Sequence, residues 1–152
     1  MPTAGPAAGP FSSVLCPVDF SDHCRTALGL GARLARASGA SLIMVYVNDP
    51  LLAAAAEANF DEQAIARQTA DELQAFLSSA VAPEPLPGSV RVELAEGRPA
   101  EQIVAAAKRV GADVIVMSTQ GVTGARTLFF GSTTEGVLKQ ARIPVLVVPP
   151  QR

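Results

Sequence analysis

The chain has no tryptophan and one histidine, and aromatic residues make up 5% of its 152 positions. A core must then be filled by Ala, Val, Leu and Ile, the usual packing of a layered α/β domain. Two cysteines, Cys16 and Cys24, are too few for a disulfide framework or a four-thiolate zinc site. With His23 as the lone imidazole, any metal would need mostly oxygen ligands. No run reaches the roughly 18 apolar residues of a spanning helix. Met1–Pro10 also lacks the basic start and apolar stretch of a secretory signal. Positive charge is not in excess either. Twelve Lys and Arg against fourteen Asp and Glu give a net charge of −2, which argues against a binder of nucleic-acid backbones. The expectation is a soluble, cytoplasmic protein with no membrane or nucleic-acid partner.

What is present is apolar surface. Hydrophobic residues make up 49% of the chain and charged residues 17%, so a sizeable core can be buried and global disorder is excluded. The length suits one compact domain. Residues 1–12 open with a Pro-, Ala- and Gly-rich stretch and read as a flexible arm, leaving 13–150 as the domain.

Along that domain, short apolar runs alternate with helical periodicity. Val14–Asp19 is a predicted strand, and Phe20-Ser21-Asp22 supplies capping chemistry for a helix that stops at Gly39. Ser41–Val47 is nearly continuous in apolar residues, as in a strand buried on both faces. A long helix is expected from Leu51 to Ala80, closed by the prolines between 83 and 87. Ser89–Leu94 alternates strictly, like an edge strand. Pro99 sits near the start of a third helix and Gly111 just past its end. Ala112–Ser118 reads as a strand, Thr119–Phe130 as a loop in which Leu128-Phe129-Phe130 tucks back on the domain, and Gly131 as the start of a fourth helix. Pro144–Pro149 brackets the last strand. Five strands alternating with four helices predict an α/β, Rossmann-like fold: an open five-stranded parallel sheet with helices on both faces, taken in the order 3-2-1-4-5 that makes strands one and four neighbours.

Ligands of such sheets bind beyond the carboxyl ends of the strands, where strand order reverses. Asp19 ends the first strand and Ser118-Thr119-Gln120-Gly121 the fourth, so if strands one and four are neighbours both face that crevice. Gly121-Val122-Thr123-Gly124 through Gly131-Ser132-Thr133 is the strongest local signal. Glycines admit close backbone approach to an anion, and a helix start aims N–H groups at it. It is neither a Walker loop nor the dinucleotide fingerprint. Ser132 with Glu135 also reads as a capping box, with Gly131 as a mere turn residue that could need positive φ. His23 lacks a nucleophile arranged beside it. Cys16 reads as a small buried hydrophobe, and Cys24, near a helix start, has a position that favours thiolate character.

On these residues the chain from Val14 to Pro149 resembles the universal stress protein family. The resemblance rests on Pro17-Val18-Asp19-Phe20-Ser21, on Ala112–Ser118, and on Gly121 to Val148. The family's ATP-binding subgroup looks like G-x-x-G, nine residues, then G-S or G-T. Gly121, the nine residues Val122–Phe130 and Gly131-Ser132 match, whereas Ser118 stands where the first glycine is expected. The resemblance implies ATP or a related adenine nucleotide, with Mg or Mn as companion ion, held by Pro17, Val18, Asp19, Val47, Ser118, Thr119, Gly121, Gly131, Ser132 and Thr133. Asp19 would serve ribose hydroxyls or a phosphate-bound metal, the Val47 backbone adenine, and Gly121, Gly131, Ser132 and Thr133 the phosphates. It further implies stress response or signalling, at most slow ATP hydrolysis, and a homodimer through Val145–Val148. The rival is a dimeric partner-binding scaffold of the same fold without nucleotide, to which Ser118 lends support.

Overall fold

The structure, a computed structural model, describes residues 9–48, 50, 61–119 and 130–150. In chain order these form β1 (Ser13–Pro17), α1 (Asp22–Ser38), β2 (Ser41–Asn48), α2 (Glu62–Val81), β3 (Val90–Glu96), α3 (Pro99–Val110), β4 (Val114–Ser118), α4 (Ser132–Gln140) and β5 (Val145–Val148). The strands make one sheet of order β3-β2-β1-β4-β5, every pair parallel. This is the expected strand order.

The continuous apolar runs explain why β1, β2 and β4 lie inside. Side chains alternate across a strand, so each run supplies two cores. Val14, Cys16, Leu42, Met44, Val114 and Val116 pack under α1 and α2, against Leu28, Leu73 and Leu77. Leu15, Ile43, Val45, Ile115 and Met117 pack on the other face, under α3 and α4, against Ile103 and Val137. A strand polar on alternate positions could not satisfy both layers. β3, which does alternate, is an edge with Arg91 exposed. β5 is the other edge, and its Leu146 is exposed.

Helix ends follow local chemistry. Ser21 caps α1, its hydroxyl accepting from the Cys24 N–H at 3.2 Å, and Gly39 closes it at φ 68°. Pro99 opens α3 and Gly111 closes it at φ 67°. The second helix differs from expectation. Asp61 has extended backbone and accepts from the Gln63 N–H at 3.0 Å, so a new helix starts there and the expected continuous Leu51–Ala80 helix does not form. A capping carboxylate at a helix start competes with continuing the helix through it. Residues 51–60 lie outside the described residues, as do residues 1–8 of the expected arm. Gly9 to Ser12 are joined to the domain: the Gly9 N–H donates to the Ser38 carbonyl, and the Ser12 N–H to Asp113.

Candidate functional site

Register places the polar strand ends at one height. Pro17 pairs with Val45 on β2, and Leu15 with Ile115 on β4. Counted onward by the period of the strand, Asp19 stands level with Val47 on one side and Thr119 on the other. β1 and β4 are also where the order reverses, since β2 and β3 build outward from one and β5 from the other. The crevice required by the topology rule therefore opens between Asp19 and Thr119.

At Asp19 the chain turns sharply. Phe20 adopts φ 63°, in the left-handed region that costs a side-chain-bearing residue about 1–2 kcal/mol. Its ring offsets this by packing against Tyr46 and Phe76, both with centroids 5.4 Å away. The turn folds Ser21 back onto Asp19, whose Oδ1 accepts from the Ser21 N–H at 3.0 Å and the Ser21 hydroxyl at 2.6 Å. Ser21 in turn caps α1, so one chain of hydrogen bonds runs from the carboxylate into the helix start. Asp19 is thus pre-oriented before any ligand arrives, which lowers the ordering cost of binding one. Of its neighbours, Pro17 accepts from the Cys24 thiol at 3.4 Å. Val18 buries its side chain in the α1/α2 core and donates its N–H to Val45 at 2.9 Å, so its carbonyl is what it can offer.

Across the crevice, α4 is anchored to the end of β4. The Gly131 N–H donates to the Thr119 carbonyl at 2.8 Å, and the Thr134 hydroxyl to the Ser118 carbonyl at 2.9 Å. Thr119 itself donates to Val148 on β5 at 3.3 Å. Thr134 is buried, and it is a site residue that sequence reasoning missed; the doubled Thr133-Thr134 after Gly131-Ser132 was its only local trace.

Three expectations about this helix start are corrected. Gly131 has φ −63° and ψ 162°, an ordinary extended conformation, so no positive φ requires glycine here. The helix is capped by Gly131, without a side-chain cap, so Ser132 is the first helical residue and cannot make the S-x-x-E box. Phe130 is exposed rather than tucked back; Leu128, Phe129 and the motif residue Gly121 lie outside the described residues. With the Gly131 N–H already used, the donors left for an anion are the N–H groups of Ser132, Thr133 and Thr134 and the hydroxyls of Ser132 and Thr133. The first N–H groups of an α-helix have no acceptor within the helix, and the dipole adds positive character there.

The cysteines are not part of a reactive centre. Burial, the largest influence, aided by the Asp19 charge and opposed by backbone hydrogen bonds, pushes the Cys24 thiol up to about 12. Burial pushes Cys16 higher still. Thiolate character at Cys24 is therefore excluded, since removal from water outweighs the helix start. Among the described residues no cluster of three or more His, Cys, Asp or Glu could hold a metal ion, and no helix is long and apolar enough to cross a membrane.

Comparison with known proteins converges on one family. A model of the universal stress protein family matches residues 10–149. The chain is 35% identical over 138 residues to the universal stress protein in the QAH/OAS sulfhydrylase 3′ region of Thermus aquaticus, covering 91% of this chain and 98% of that one. Among solved structures, the protein MJ0577 superposes with a TM-score of 0.72 at 26% identity, over 93% of this chain and 97% of its own. A universal stress protein solved in complex with cAMP superposes with a TM-score of 0.66 at 22% identity, over 93% of this chain and 98% of its own.

Proposed function

The chain belongs to the universal stress protein family, and on that premise we propose that it binds an adenine nucleotide, ATP foremost, as a stress-response or signalling domain. The observation that carries the reading is the pairing across the crevice. A helix start without a side-chain cap is anchored to β4, and a carboxylate held ready by Ser21 stands at the end of β1. The first suits phosphate oxygens and the second ribose hydroxyls. That a neighbour of this fold was solved with cAMP supports the adenine nucleotide as the ligand class. A divalent ion, Mg or Mn, would arrive with the phosphates, since Mg typically takes one or two carboxylates plus substrate phosphates; Asp19 would supply the carboxylate. The role is sensing or signalling rather than metabolic turnover.

The same reading includes a homodimer through β5. Val145–Val148 is an edge strand with exposed Leu146, and Pro144 and Pro149 limit how far pairing can extend. A monomeric mass by light scattering at roughly tens of micromolar would remove that part of the proposal.

Thermal unfolding of nucleotide-stripped protein tests the binding. ATP with magnesium at about 100 times Kd stabilises by about 2.7 kcal/mol, a rise of about 5–10 °C in melting temperature for a domain of this size. Gly131→Ala and Ser132→Ala should melt near wild type without nucleotide and gain much less with it, Gly131→Ala the less of the two. Because Gly131 already has φ −63°, alanine enters without backbone strain and the comparison isolates close approach. If stripped wild type shows no shift at millimolar-range ATP, roughly enough to reveal weak sites, the scaffold reading replaces this one.

A further inference from the structure

Gly136 stands in the middle of α4, where glycine is a much poorer helix former than alanine. It has no positive φ to explain it, and α4 is a nine-residue helix that could use every gain in propensity. The explanation is in the neighbouring helix. A Cβ on Gly136 would lie 2.6 Å from the Cβ of Ala100, where ordinary contact needs 3.4–4 Å. Ala100 is in the first turn of α3, directly after Pro99, and its methyl has no rotamer to escape into. The only remedy is retreat of one helix from the other by about 1 Å.

That retreat would act on the site. Ser132 lies four residues before Gly136, about one turn along the same rigid helix. The two bonds that seat α4 on β4, Gly131 to Thr119 at 2.8 Å and Thr134 to Ser118 at 2.9 Å, leave little tolerance for a shift of that size. Resting on the reading of the α4 start as a phosphate site, we propose that Gly136 is a positioning residue. Its missing side chain lets α4 lie against Ala100 of α3, and this close approach sets the Ser132 and Thr133 N–H groups where nucleotide phosphates are bound.

The role predicts a selective defect. A ligand without phosphates does not use the α4 start, so Gly136→Ala should weaken ATP and spare adenosine. Calorimetric titration of stripped, folded protein with ATP–magnesium and with adenosine reads both. Misplacing one charge-assisted donor raises the ATP Kd about tenfold. Adenosine affinity should stay at the wild-type value. Adding Ala100→Gly to Gly136→Ala moves the methyl from one helix to the other and should restore ATP affinity to nearly wild type. Should Gly136→Ala not fold, Ala100→Val enlarges the same contact from α3 and should show the same ATP-selective loss. An unchanged ATP-to-adenosine ratio in the folded variants, or parallel loss of both ligands, overturns the positioning role. Failure of wild type itself to bind ATP is a different result, and it overturns the phosphate site together with the role built on it.

Discussion

Phe20 offers a stability test whose sign runs against the usual ranking of residues. Its backbone is left-handed at φ 63°, and its ring is held by Tyr46 and Phe76 at 5.4 Å each. Removing the ring to alanine forfeits two aromatic contacts of about 0.5–1.5 kcal/mol each and the burial of a partly exposed ring, about 2–3 kcal/mol in all. The strain, about 1–2 kcal/mol, remains with alanine and is released by glycine. Glycine gives back about 0.5–1 kcal/mol through its freer unfolded chain. Phe20→Gly should therefore be more stable than Phe20→Ala by about 0.5–1 kcal/mol, although glycine is ordinarily the worse substitution. Phe20→Ala should melt about 5–10 °C below wild type. Urea unfolding of nucleotide-free protein, with m compared across variants, measures both differences. If Phe20→Ala proves as stable as Phe20→Gly or more so, the ring is not holding a strained turn, and the account of how Asp19 is oriented fails with it.

The remaining predictions concern single groups. Asp19→Ala should fold and lose about tenfold to a hundredfold in ATP affinity, as expected for one charged acceptor; unchanged affinity would make Asp19 only a partner of Ser21. Thr134→Val keeps the shape but removes the hydroxyl that donates to Ser118, and should cost about 1 kcal/mol in chemical unfolding. The buried thiols set an alkaline limit. Unfolded, both ionise near 9.0, whereas in the fold Cys24 stays protonated to about 12 and Cys16 beyond. The unfolded chain thus releases its protons first. Stability from this source is full below the unfolded value and falls as pH rises past it, by up to about 1.4 kcal/mol per pH unit for each thiol. Urea unfolding from pH 8 to 10 follows the decline, and Cys24→Ala should reduce its slope; an identical slope would assign the decline elsewhere.

Period and punctuation in the sequence were enough for the architecture. The runs at Val14–Cys16, Leu42–Val45 and Val114–Met117 are apolar at every position, and only a strand covered on both faces can use such a run. Strict alternation in Ser89–Leu94 marks an edge for the converse reason. Gly39, Pro99 and Gly111 act within one turn of chain, so their effects needed no tertiary knowledge. The crevice between Asp19 and Thr119 was legible only on the premise that strands one and four are neighbours, a premise that the observed strand order supplies. What tertiary structure decided lies where distant segments compete for one group. The carbonyls of Thr119 and Ser118 take the Gly131 amide and the Thr134 hydroxyl, which no local pattern forecasts, and this leaves the helix-start N–H groups after Gly131 as the proposed phosphate donors. The left-handed turn at Phe20 exists because rings from β2 and α2 hold it, against the residue's own preference. Gly136 looks like a weak point in a short helix until Ala100, far back in the chain, is placed beside it. Local preference is settled by neighbours a few residues away, whereas these positions answer to atoms brought close only by the completed fold.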